Sequence, residues 1–336
     1  MAGNALGTSY VQVIPKFKNG SLADIGKQAG AAFEGGFGPA LAKVAKIIAT
    51  SAIVKGIYDI GKAAVDSYAE YEQLVGGIET LYGADGKSLE EYAASIGQST
   101  EQARAAYDAL MESQDMVFKN AQNAFRTAGL SANEYMSQAT SIAAKLVNSL
   151  GGDTVEAARL ADMAITDMSD NANKIGTDME LIQNAYSGFA RENYTMLDNL
   201  KLGYDGNRSE MERLLRDAEA ISGIHYDIKN YADVVSAIHV IQEEMGIAGT
   251  TAEEAASTIS GSWGMLKGSW QNLLTSLAGG GDEIATSMQA VIESLFTWLG
   301  NILPRIGETV RGMFEAIPAA AEAILPKARE IGRAHV

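Results

Sequence analysis

Between residues 99 and 254 the chain repeats one pattern: a Ser or Thr followed three residues later by Glu or Gln, an apolar run at helical spacing, and then a glycine. Ser99 with Gln102, Ser131 with Glu134, Thr177 with Glu180 and Thr251 with Glu254 fit capping boxes. In each, two side chains satisfy the free N–H groups of a new helix. Gly129, Gly151 with Gly152, Gly176, Gly223 and Gly246 stand where a helix ends in a left-handed residue. A chain punctuated this way folds into short to medium, close-coupled helices. The expected fold is all-α, made of helical hairpins and a bundle with long amphipathic helices. The exception is residues 9–14 (SYVQVI), whose alternation predicts one short N-terminal β-strand ended by Pro15.

Apolar spacing supplies the packing. Ala157, Leu160, Ala161, Ala164, Ile165, Met168 and Ala172 recur at three and four residues and share one face. Tyr135, Ala139, Ile142, Ala143, Leu146, Val147 and Leu150 make a second stripe. Joined through Gly151-Gly152, the two read as an antiparallel hairpin. Farther on, Met288, Ile292, Leu295, Leu299, Ile302 and Ile306 alternate steps of four and three as in a coiled-coil seam, interrupted by Pro304. Such a seam reads as a self-association surface. Its alternative is an interfacial membrane helix, with Phe296 and Trp298 beside it.

Charge and composition narrow the function classes. The chain carries a formal charge of −16, but residues 1–65 hold seven Lys against three acids, +4, which leaves −20 for the rest. A body that acidic repels phosphate backbones, so sequence-specific nucleic-acid binding is not expected. With no cysteine among 336 residues, disulfides, thiolate zinc sites and cysteine nucleophiles are excluded. No basic region precedes an apolar stretch at the N-terminus, so no secretory signal is read. The nearest approach to a membrane span, residues 40–60, is broken by Lys43, Lys46 and Lys55.

Catalytic constellations are sparse. The three histidines are His225, in a turn; His239, in an apolar helical run where a hydrogen-bonded structural role is expected; and His335. None has a second histidine nearby, so no metal site is expected. Gly86-Lys87-Ser88 ends like a phosphate loop, but the motif's first glycine falls on Leu81, and residues 83–88 read as a loop. Asp205, Asn207 and Ser209 have calcium-loop spacing, yet the bidentate position is Arg216. That stretch is expected to turn into a helix starting near Ser209. The reading is non-enzymatic, with no catalytic residue and no cofactor.

Several long segments, in order, resemble the core region of bacteriophage tail tape measure proteins. They are residues 117–129 (VFKNAQNAFRTAG), 161–176 (ADMAITDMSDNANKIG), 183–203 (QNAYSGFARENYTMLDNLKLG) and 211–219 (MERLLRDAE). Residues 238–243 (IHVIQE), 249–261 (GTTAEEAASTISG) and 269–275 (SWQNLLT) extend the likeness, which covers roughly residues 36–310. Its signature residues are Asn193, Tyr194, Met196, Leu197, Asp198, Asn199, Leu200 and Gly203, lying between helices with packing and turn formation as their expected role. The resemblance implies a structural protein of the virion tail, made in the host cytoplasm during assembly. Such a protein occupies the tail tube lumen, sets tail length, scaffolds assembly and leaves at infection. It implies as partners the tail tube protein, tail assembly chaperones, tail-tip proteins, further copies of the chain in the tube, and host membrane contact at infection.

The expected organisation is an N-terminal strand and linker (1–35), an Ala/Gly-rich helical segment (36–98), the helical core domain (99–280) and amphipathic coiled-coil-like helices (281–330). Residues 331–336 (IGRAHV) match the translation of a common sequencing adapter, which suggests a reading frame that ran into adapter and a protein truncated at its C-terminus. A wholly helical, extended chain of this length spans about 500 Å at ~1.5 Å per residue, whereas folded hairpins cannot. Either the core unfolds in the tube or it is a compact end of a longer ruler. The runner-up reading is a membrane-active helical effector aiding DNA entry through residues 283–330 and 40–65. A third, a peptidoglycan hydrolase, has no carboxylate pair marked out by its surroundings.

Overall fold

The computed structural model describes residues 52–279, 283–302 and 304. The expected N-terminal strand, Ile306, His335 and the adapter-like 331–336 lie outside these residues. The described residues are helical with no strand among them: α1 (Ala52–Leu81), α2 (Leu89–Ser95), α3 (Thr100–Thr127), α4 (Ala132–Ser149), α5 (Thr154–Ile175), α6 (Met179–Phe189), a 3-10 turn (Leu197–Leu200), α7 (Arg208–Ser222), α8 (Tyr231–Glu244), α9 (Thr250–Ser257) and α10 (Ile259–Gly279). A further helix, α11, covers residues 283–302. The fold is all-α, and α1 and α3, at 30 and 28 residues, exceed the short-to-medium lengths expected. The chain divides into two compact units between Val65 and Asp66; residues 52–65 are the described part of the first, and they run as helix.

In the second unit α5 is the central helix, packed by α3, α4, α6, α8 and α9. Its predicted stripe is buried from Ala157 to Met168, with Ala172 half-buried. The facing stripe of α4 is buried from Tyr135 to Leu146, so the hairpin through Gly151-Gly152 forms as read. Alanine on both faces lets the helices approach closely, and large side chains fill the rest of the core. Tyr186, Phe189, Ile182 and Met136 are among the most buried in the molecule. Each such burial contributes ~1.5–3 kcal/mol.

The start signals at Ser99 and Ser131 are complete capping boxes, with both reciprocal bonds present. A third, at Ser88 with Glu91, starts α2 and was not anticipated. All six stop signals have positive φ; Gly176 (72°) and Gly223 (73°) are left-handed C-caps of α5 and α7. The other two expected boxes are replaced. Asp178, one residue after Thr177, caps α6 by accepting from the Glu180 N–H. Its carboxylate reaches that N–H at 2.8 Å, leaving the Thr177 hydroxyl buried without a partner. At α9 the N-cap is Gly249 and Thr251 lies inside the helix, because a carboxylate from α5 takes the role that a local hydroxyl was expected to play.

Candidate functional site

One turn and a half of α5 carries four buried polar residues, Asp167, Ser169, Asp170 and Asn171, where an amphipathic helix ordinarily buries hydrocarbon. They fall within residues 161–176, one of the segments that carry the resemblance. Three of them reach different elements. The Asp167 carboxylate meets Nδ1 of His239 on α8 at 2.9 and 3.0 Å. Asp170 accepts from the backbone N–H of Gly249 at 2.6 Å and of Thr251 at 2.7 Å, closing the N-terminus of α9. Asn171 donates through Nδ2 to the Leu200 carbonyl at 2.8 Å. Next on the helix, Asn173 donates to Glu254 of α9 at 2.9 Å. This hub thus ties α8, α9 and the 3-10 turn to the central helix.

The Leu200 carbonyl belongs to the sequence-predicted signature, which spans the connection between α6 and α7. Tyr194, Leu197 and Leu200 are buried, and the Tyr194 ring stacks on Phe189 with centroids 6.0 Å apart. The Tyr194 hydroxyl donates to the Ile228 carbonyl at 2.8 Å, fastening the connection to the segment before α8. Asn193 makes an Asx turn, its Oδ1 accepting from the Thr195 N–H at 3.1 Å and hydroxyl at 2.8 Å. Asn199 donates to the Leu181 carbonyl at 3.4 Å, at the edge of hydrogen-bond range. Met196 and the Asn193 carbonyl both press on Gly188, where an added Cβ would meet each at 3.0 Å. Asp198 Oδ1 lies as close to Gly206, and Gly203 turns with φ 85°. These eight residues pack and turn the chain, and their hydrogen bonds run mainly to backbone.

The electrostatics of the hub follow from burial. Loss of solvent pushes the Asp167 carboxyl up to about 6, while the imidazole beside it pulls the other way. The hydrogen bond that the imidazole donates to Asp167 raises the His239 pKa, against the effect of its partial burial. Nε2 of the same ring lies 3.5 Å from Glu243. His239 therefore has the hydrogen-bonded place expected of it. Asp167, Asp170 and Asn171 were not singled out in the sequence, although Asp167 and Asn171 stand three residues after Ala164 and Met168. A polar residue in register with a buried stripe was the available signal.

The rejected motifs have structural uses. Asn207 is the N-cap of α7, accepting from the Glu210 N–H at 3.1 Å, so the calcium-like spacing is a helix start at Arg208. Lys87 pairs with Asp85 at 3.0 Å, and Ser88 caps α2. His225 is exposed and pairs with Glu219 at 3.0 Å. Among the described residues no group of three or more His, Asp or Glu side chains is placed to hold a metal ion, and no helix is long and apolar enough to cross a membrane.

The expected seam lies on α11. Met288, Ile292, Leu295, Leu299 and Ile302 are half-buried there. The helix meets α10 through a neighbouring strip. Ser287 bonds Ser276 at 2.7 Å, Trp298 packs on Trp263 at 5.4 Å, and Asn301 donates to the Ser262 hydroxyl at 3.1 Å and to the Ala256 and Thr258 carbonyls ahead of α10 at 3.2 and 3.1 Å; Ser294 is buried on the same strip. Phe296 is 60% exposed. No family model, curated protein or solved structure matches the chain.

Proposed function

We propose that the chain is a structural protein of the tail tape measure kind, which works in phage tail assembly inside the tube and is released at infection. The observation that carries this reading is that the resembling segments form a single packed arrangement. Residues 117–129 and 161–176 lie on the adjoining helices α3 and α5, and 183–203 supplies α6 and the anchored connection. Residues 211–219 lie on α7, which packs on α8. A likeness spread across mutually dependent elements is a stronger sign of kinship than one confined to a single amphipathic helix.

A folded unit adds its own width to a ruler, whereas an extended helix adds ~1.5 Å for each residue. In this reading residues 66–279 act as a compact folded unit unless they unfold in the tube, and tail length is set wherever the protein runs as extended helix. Phage carrying in-frame deletions in this gene test the reading by electron microscopy of their tails. Removing 20 residues of extended helix shortens the tail by about 30 Å, while removing the α4–α5 hairpin abolishes tails. Tails of unchanged length with infectivity lost would overturn it and favour the membrane-active alternative.

A further inference from the structure

A cleft of 790 Å³ opens between the α4–α5–α6 body and the first half of α10, a volume in the range of small-molecule sites. Its walls are unusual for the space between packed helices. On α4 the residues facing it are Glu134, Ser137, Gln138, Ser141 and Ile142, spaced so that they share one helix face. Gln183, Asn184 and Ser187 of α6 stand across from them, and Trp263 of α10, half-exposed, stands at the rim. Ile142, Met168 and Met179 provide apolar surface.

Four lining residues carry polar atoms without a partner in the fold. Gln138, Ser169, Tyr186 and Thr251 are each more than nine-tenths buried, and Gln138 Oε1, Ser169 Oγ, Tyr186 Oη and Thr251 Oγ1 are closed off from solvent and make no hydrogen bond. Buried polar groups are ordinarily paired, and a ligand with its own donors and acceptors offsets the cost of leaving these unpaired.

The charge on the walls restricts the ligand. Lys267 is the sole cation among the lining residues and is outnumbered by Glu70 and Glu134, so an anion finds no cluster to bind. Glu134 is itself engaged, its Oε2 accepting from the Ser131 N–H at 2.7 Å. An extended peptide is disfavoured as well, because it binds best by adding to a sheet edge, and the described residues contain no strand. Side-chain amides and hydroxyls opposite a half-exposed indole suit a neutral polyhydroxylated molecule. Its hydroxyls pair with the amides while its C–H face lies on the ring.

We propose that this cleft binds a neutral sugar of one or two rings, with Gln138, Gln183 and Asn184 hydrogen-bonding its hydroxyls and Trp263 carrying its apolar face. The hydroxyls of Ser169 and Thr251 turn into the cleft on binding, each by rotation about χ1 between staggered positions. This assignment stands apart from the tail reading and holds or fails independently of it.

The test is titration of the full chain with glucose and with maltose, followed by calorimetry and by tryptophan fluorescence. Maltose is expected to give a saturable response. In calorimetry its affinity falls about tenfold in Trp263→Ala, as loss of an aromatic platform requires. It falls comparably in the Gln183→Ala, Asn184→Ala double variant, and Trp270→Ala, which changes an exposed tryptophan outside the lining, leaves it unchanged. Absence of a saturable response to either sugar overturns the proposal. So does binding that survives both cleft changes, or a response to a neutral Ala/Ser peptide without one to maltose.

Discussion

Replacing Asp170 tests whether α9 is held by the hub or by its own sequence. The carboxylate is fully buried and takes two backbone N–H groups at 2.6 and 2.7 Å, both at the start of a helix of eight residues. Such charge-assisted bonds are short and strong, and α9 has no side-chain cap of its own to replace them. Asp170→Ala leaves two donors without their acceptor, at ~1–3 kcal/mol each, so the expected loss is about 4 kcal/mol. Asp170→Asn keeps the volume and one acceptor and should lose about half of that. Urea unfolding of the full chain measures the total. Amide hydrogen exchange locates it: Gly249 and Thr251 should both lose protection in Asp170→Ala and one of them in Asp170→Asn, while amides in α4 keep theirs relative to global unfolding. If both variants unfold within about 0.5 kcal/mol of the parent and exchange at those two amides is unchanged, the hub does not hold α9.

Other consequences follow from the same packing. Both members of the Asp167–His239 pair bind protons more tightly when folded. For Asp167, stability is present below its unfolded value of about 3.9 and is lost as pH rises through about 6, at most about 3 kcal/mol. For His239, stability is present below about 6.5 and is lost as pH rises through its higher folded value. Asp167→Asn removes both the buried titrating carboxyl and the group that raises His239, so the melting temperature of the parent should fall relative to the variant between pH 4 and 8; a flat or rising difference would refute the pairing. Gly268→Ala should cost ~1–3 kcal/mol in urea unfolding, because the new Cβ meets the Leu130 carbonyl at 2.9 Å and Phe125 Cβ at 3.0 Å. Gly152→Ala, with open space around it and φ 98°, should cost about 1 kcal/mol from backbone strain alone. Arg126→Gln, which breaks an exposed pair with Glu293 at 2.6 Å, should change stability by less than about 1 kcal/mol.

Where helix signals were local, they were legible. Ser99 and Ser131 bond to N–H groups three residues on, so the whole capping box lies within four letters of sequence. The α4 and α5 stripes were equally plain, since hydrocarbon at a period of 3.6 has one economical destination. The α9 start was misread for a physical reason: Thr251 and Glu254 have the right spacing, but Asp170, 81 residues earlier, delivers a charged acceptor to the Thr251 N–H. That carboxylate caps a start at Gly249, two residues before Thr251, and spacing along the chain cannot register it. The seam was half legible. Its described residues are on one helix, but the contacts with α10 run one position round, through Ser287 and Asn301, which make no apolar pattern.

The same distinction accounts for the candidate site. The signature between α6 and α7 has the look of a binding motif because it is polar, aromatic and rich in turn formers. Yet Asn193 turns its own chain, Tyr194 ties it to Ile228, and the Leu200 carbonyl is taken by Asn171. Each of those bonds satisfies a backbone group, at the exposed Thr195 N–H, the part-buried Ile228 carbonyl and the buried Leu200 carbonyl. The polar letters of the connection therefore follow from turning the chain and pairing its backbone before any ligand is considered. The cleft under α10 is the opposite case. There the polar atoms at Gln138, Ser169, Tyr186 and Thr251 complete no backbone accounting, and they lie sealed just behind the wall of the cleft. Polarity that satisfies the fold explains itself, and polarity left over is where binding chemistry should be sought first.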